Sequence, residues 1–176
     1  MRFITLAAVA ALLVACSPPS NNQQSDAPAP DAPIIAACND VAPDLTQAVT
    51  LGDDVAVVAA VADLRGGRVA PGVYDLITGS RLGGAAGWQG ARAVALQVSE
   101  SEAGTMFDWA STPAGGGEAE RWSAGFIDAP QGHLTFVCGR SGGADVVFTA
   151  EANGLRLQLP EENGAGSLYL VFSRRS

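Results

Sequence analysis

The chain has 176 residues, with ten arginines, no lysine and 18 acidic side chains, for a formal charge of −8. That length holds one globular domain plus targeting parts. An acidic surface excludes the nucleic-acid backbone as a partner, and it excludes charge-driven docking on anionic lipid headgroups.

Taken in chain order, Arg2 is followed by a twelve-residue apolar run at 3–14, FITLAAVAALLV. This is the length of a signal-peptide core and falls short of the roughly 20 residues that a spanning helix needs. The next step, Leu13-Val14-Ala15-Cys16, resembles the lipobox of bacterial lipoproteins. The resemblance implies a lipid thioether on Cys16, cleavage before it and acylation of the new amine, so membrane lipid is the first expected partner. Several acyl chains, at about 0.8 kcal/mol per buried CH₂, anchor firmly where one does not. Cleavage removes Arg2 and leaves nine arginines against 18 acids, a charge of −9. Ser17 stands where the enterobacterial sorting rule has Asp for inner-membrane retention. The implied location is the outer membrane, facing the periplasm.

Residues 17–33 read SPPSNNQQSDAPAPDAP. Such a stretch buries too little apolar surface to offset its ordering entropy, and its prolines favour extension. It reads as a tether. With Cys16 assigned to lipid, Cys38 and Cys138 remain as a pair in an oxidising compartment. We expect a disulfide, with two separate thiols as the alternative. Two cysteines and one histidine, His133, are too few soft ligands for a metal site, and we expect no cofactor. The expected organisation is a signal peptide at 1–15, lipidated cysteine and tether at 16–37, a bridged segment at 38–66 and the folded domain at 67–176.

Residues 53–65, DDVAVVAAVADLR, fit either a strand or a helix capped by Asp53 and stopped by Gly66. We lean to strand. From there, eight short runs alternate with turn signals: 73–77, 92–98, 105–110, 120–126, 133–138, 145–150, 155–159 and 168–173. Val94, Leu96 and Val98 share one face. So do Leu155, Leu157 and Leu159, and Leu168, Leu170 and Phe172. Leu134, Phe136 and Cys138 share another in the same way. Asn153-Gly154 is a tight-hairpin signal, and no interval carries a helical pattern. These features predict an all-β domain of consecutive hairpins, closed as an eight-stranded antiparallel up-and-down barrel; a two-sheet sandwich is the alternative. Segment 67–176 resembles the calycin architecture of lipocalins and small envelope barrels. Ala70-Pro71-Gly72-Val73-Tyr74-Asp75-Leu76 and the ending 168–175 are similar to bacterial lipoproteins of this build. Gly72-Val73-Tyr74 carries Tyr where the lipocalin Gly-x-Trp signature has Trp.

No constellation here predicts an enzyme. Gly139-Arg140-Ser141-Gly142-Gly143 matches the serine-hydrolase pattern, but that motif needs a strand–turn–helix elbow and a later histidine. Here another strand follows Ser141, and His133 precedes it. The acidic pairs Asp53/Asp54, Glu100/Glu102, Glu118/Glu120 and Glu161/Glu162 sit near strand ends and read as solvated loop charge. Trp88, in a Gly-rich loop, and Trp109 and Trp122, on either side of the 111–117 loop, are either core filling or contacts for a ligand or partner. Two functions follow. One is a non-catalytic barrel that binds a small apolar ligand, with Leu96, Phe136, Phe148, Leu157, Leu170 and Phe172 directed inward. The other is an envelope protein-interaction or inhibitor lipoprotein. For the second, 134–172 resembles membrane-bound lysozyme inhibitors in the order Phe136-Val137-Cys138, Val147-Phe148, 155–159 and Gly166-Ser167-Leu168-Tyr169.

Overall fold

Alternating large apolar residues form strands because period-2 side chains put one face in a core and the other outside. The computed structural model describes residues 37–53, 63–128, 131–162 and 164–176. Cys16, the tether up to residue 36 and most of the ambiguous 53–65 stretch lie outside the described residues. The elements are β1 (Val49–Thr50), β2 (Gly72–Leu82), β3 (Ala91–Ser101), β4 (Gly104–Pro113), β5 (Glu120–Ile127), β6 (Gly132–Cys138), β7 (Gly143–Glu151), β8 (Gly154–Pro160) and β9 (Ser167–Arg174). The eight expected runs are β2 to β9.

Each strand from β2 pairs antiparallel with the next, and β9 returns to β2 from Tyr74↔Arg174 to Leu82↔Ser167. The sheet therefore closes into an eight-stranded up-and-down barrel, and the sandwich alternative falls away. Four turns lie at one end: 83–90, 114–119, 139–142 and 161–166. The other end carries the two-residue turns Glu102-Ala103 and Ala152-Asn153, the second directly before Gly154. We call the end with the four turns the loop end.

Side chains fill the interior. Phe107, Trp109, Trp122, Phe126, Phe148 and Phe172 are buried in one cluster with Tyr74, Leu76, Leu96, Leu134, Leu157 and Leu170. Phe107 stacks on Phe126 at 4.4 Å between centroids, and Trp109 on Trp122 at 5.3 Å. Each such pair adds about 0.5–1.5 kcal/mol to simple burial.

Two bulges reset the alternation. Between Leu76 and Thr78, Ile77 is an extra residue against Phe172 and Val171 of β9. Between Phe136 and Cys138, Val137 is extra against Ala124 and Ser123 of β5. Both are large apolar residues left exposed. A bulge shifts the side-chain phase by one residue. Cys138 therefore shares the outer face with Ser123, not the inner face with Leu134 and Phe136 as the alternation predicts.

That switch lets Cys138 bond to Cys38, which runs outside the barrel. The strap after Cys38 is held at several points. Asn39 Nδ2 donates to the carbonyls of Trp109 and Trp122 at 3.2 and 2.9 Å. Val41 packs on the outward Ala95 and Ala110. Arg175 donates to the Ala42 carbonyl and grips the buried Asp75 through two nitrogens. The Asp44 carboxylate accepts from Gln47 and Thr46, which lowers its pKa to about 2. Small outward residues, unexplained by simple alternation, are thus the seat of the strap.

A Cys38→Ser/Cys138→Ser variant should lose about 2–5 kcal/mol of unfolding free energy, because the closed loop is long. The urea midpoint measures it. An unchanged midpoint would mean that the contacts of Asn39, Val41 and Ala42 hold the strap without the disulfide.

Candidate functional site

The loop end gathers charge from strand ends far apart in sequence. Arg140 is its centre. A turn with Gly139 at φ 79° carries it, and a Cβ at Gly139 would strike the Arg121 carbonyl. This close turn lays the Arg140 guanidinium over the rings of Trp122 and Phe136, at 5.7 and 5.8 Å from their centroids. Its Nη2 donates to Glu120 at 3.0 Å and its Nε lies 3.1 Å from Glu162. The Arg140 side chain is only 19% exposed. One cation thus joins β5, the β6–β7 turn and the β8–β9 loop above the aromatic core.

The neighbouring loop is braced from the same side. The Glu161 carboxylate accepts from the backbone N–H groups of Ala86 and Gly87. Arg81, inward at the end of β2, donates to the carbonyls of Ala86, Leu51 and Trp88. Arg92 donates to Ser111 and lies 4.0 Å from Glu120.

Two openings adjoin Arg140. The larger, about 910 Å³, is lined by Phe136, Arg140, Ser141, Asp145, Pro160 and Glu162, with neighbouring residues of the same turns. The smaller, about 340 Å³, is lined by Trp88, Leu159, Leu168, Glu120, Arg140 and Glu161 among others. Asp145, Glu120, Glu161 and Glu162 rim the pair of openings, and Arg140 is the basic residue that lines both. Negative charge is therefore in excess there.

The singled-out residues divide. Trp88 is half-buried at the loop end, with its Nε1 donating to the Val49 carbonyl at 3.3 Å. Trp109 and Trp122 sit directly opposite each other across β4 and β5 and belong to the core. Their indole nitrogens are buried without a hydrogen-bond partner among the described residues, at a cost of about 1–3 kcal/mol each. His133 Nδ1 lies 2.7 Å from Asp145 on the outer face. Ser141 lines the large cleft and makes no hydrogen bond to His133 among the described residues. Asp53 pairs with Arg81 and Glu100 with Arg68. Glu118 and Glu102 are exposed, and Asp54 lies outside the described residues. Among the described residues, no group of three or more His, Cys, Asp or Glu could hold a metal ion.

Arg140 is not among the residues the sequence singles out, since it lies inside the Gly139–Gly143 stretch whose match to the hydrolase pattern draws the eye to Ser141. A signal was available: an arginine between glycines directly after a strand can fold back over that strand's last aromatic, here Phe136.

Replacing Arg140 with Ala should lower stability by about 1–2 kcal/mol through lost ring contact and ion pairing. It should also raise acrylamide quenching of tryptophan emission, since it uncovers Trp122. Unchanged quenching would show that other groups cover that ring.

Comparison of the chain with known protein families, with curated proteins and with solved structures found no match.

Proposed function

We propose that this protein is a lipid-anchored envelope protein whose barrel is a non-catalytic recognition module, and that its loop end binds a cationic protein partner. The carrying observation is where the open space lies. The barrel interior is packed with aromatic side chains, whereas the larger of the two openings beside Arg140, about 910 Å³, lies at the loop end and is rimmed by Asp145, Glu161 and Glu162. The surplus of carboxylates there agrees with the chain's charge of −8, and charge complementarity governs encounter and partner choice. The similarity in strand order to lysozyme inhibitors points to a basic envelope or host enzyme as the kind of partner. Ser141 in a β–β turn, rather than at a strand–helix elbow, supports a role without catalysis.

A second reading has its own support. The smaller opening, walled by Trp88, Leu159 and Leu168, falls within the size range of small-molecule sites. A small ligand with an apolar body fits that wall.

The anchor rests on the lipobox at 13–16 and on the pairing of the other two cysteines, Cys38 and Cys138, with each other. Labelled palmitate should enter the wild-type chain and not Cys16→Ser, and the variant should leave the membrane fraction. Equal labelling of both would remove the anchor.

The partner reading is tested with c-type lysozyme and a second basic protein, cytochrome c, in lysis and calorimetric assays. We expect binding that weakens with salt and drops at least tenfold in Glu161→Gln/Glu162→Gln. Full lysozyme activity at excess protein, with no heat from either basic protein, would overturn it. Saturable uptake of a fluorescent fatty acid in that case would favour the second reading.

A further inference from the structure

Among the described residues the barrel wall parts at three places, and the chain fills two of them itself. The first lies between β2 and β3, which pair only over Gly72–Asp75 and Ala95–Val98. Residues 49–52 enter where they diverge. Val49 and Thr50 pair with Arg92 and Ala91 of β3, and Gly52 bridges Ser80 of β2. The Gly52 N–H donates to the Gly79 carbonyl at 2.9 Å, and the Arg81 N–H donates to the Gly52 carbonyl at 2.8 Å.

The second parting lies between β6 and β7. Only the first half of β7, Gly143–Val146, pairs with β6. Beside the second half runs Gly66. Its N–H donates to the Phe148 carbonyl at 2.7 Å, and its carbonyl accepts from Ala150 at 3.0 Å.

The third parting lies between β7 and β8. Their register runs from Glu151↔Gly154 to Val147↔Gln158 and stops there, although β7 begins at Gly143 and β8 extends to Pro160. Pro160 has no N–H with which to continue a ladder. The large cleft opens at this point, with Gly143, Ala144 and Asp145 on one side and Pro160, Glu161 and Glu162 on the other.

We infer that this third parting receives an extended cationic segment of the partner, laid alongside the backbone of 143–145, so that the partner supplies there the strand the chain supplies at the other two. The inference rests on the partner reading above and specifies how that site binds. Main-chain bonding to a strand gives affinity, and alternate side chains give specificity. An added strand would turn one set of side chains toward the carboxylates and the other toward Phe136. The charge selects the occupant. The Asp145 and Glu162 side chains are 80% and 68% exposed, with Asp145 held by His133 through Oδ1 alone, and Arg140 is already shared between Glu120 and Glu162. The chain's own tether carries Asp26 and Asp31 and no basic residue, and a second copy carries the same charge of −8. Both are repelled where a basic segment is attracted.

Three blocked peptides test this on the full-length protein in detergent: alternating Lys-Val, alternating Glu-Val, and Lys-Val with alternate backbone nitrogens methylated. Lys-Val should bind with increased hydrogen-exchange protection at the amides of Gly143 or Asp145, whose backbone faces the parting. Glu-Val should not bind, and the methylated peptide should bind at least tenfold more weakly. Asp145→Asn should weaken Lys-Val several-fold without moving the melting temperature. Equal binding of the methylated and plain Lys-Val peptides would reduce the site to charge alone and overturn strand addition. So would protection confined to other strands, or no Lys-Val binding at all. If basic proteins still bind in a salt-dependent way in any of those cases, the partner reading stands and only this inference fails.

Discussion

Closure of the sheet governs everything else in this molecule. Once β9 pairs with β2 there is no free edge along most of the wall, and every inward position must be filled from within. Eight strands enclose just enough space for side chains. The sequence fills that space with two stacked aromatic pairs and a shell of leucines. A barrel filled this way is a rigid scaffold, and its chemistry is displaced to the rim. Arg140 marks the boundary: its guanidinium rests on the core rings while its nitrogens hold Glu120 and Glu162 at the surface.

Closure also imposes strain on the ladder. Strands that twist and tilt need not stay paired along their whole length: β3 keeps its register with β4 over ten pairs but meets β2 over only four. The bulges at Ile77 and Val137 absorb part of that mismatch, and the partings between strands absorb the rest. Where the chain passes close by, at 49–52 and at Gly66, it repairs the wall with its own backbone. Among the described residues nothing of the chain does so between β7 and β8, and Pro160 stands where the paired register would continue. The charge-rich opening and the incomplete ladder therefore share one geometric origin.

The strands were legible because closure makes alternation strict. Val94, Leu96 and Val98 face the core as their spacing predicts, and so do Leu155, Leu157 and Leu159. The two bulges were not legible, since one extra residue leaves no local mark in a run of apolar side chains. For that reason Cys138 is on the opposite face from the one its spacing implies, although its pairing with Cys38 is expected once Cys16 is set aside for lipid. The loop-end cluster was harder still. Glu120, Arg140 and Glu162 come from three turns, and only the order of strands around the barrel brings them together. Glu161/Glu162 was visible as an acidic pair. That one member braces a loop and the other holds Arg140 depends on register, which no pattern within 161–162 encodes.

The disulfide ties the loop end to the proposed anchor. Cys138 ends β6 at the loop end, so the strap that begins at Cys38 leaves the barrel close to Arg140 and the cleft. Under the lipid anchor on Cys16, residues 16–37 reach at most roughly 80 Å when fully extended. The proposed recognition surface lies beside the disulfide, since Gly139 and Arg140, which follow Cys138, line the cleft. Under the proposed anchor an acidic domain would be pushed away from an anionic leaflet. A basic protein near the same surface would be enriched there by the charge that repels the barrel, so that a modest intrinsic affinity at the cleft would suffice for capture.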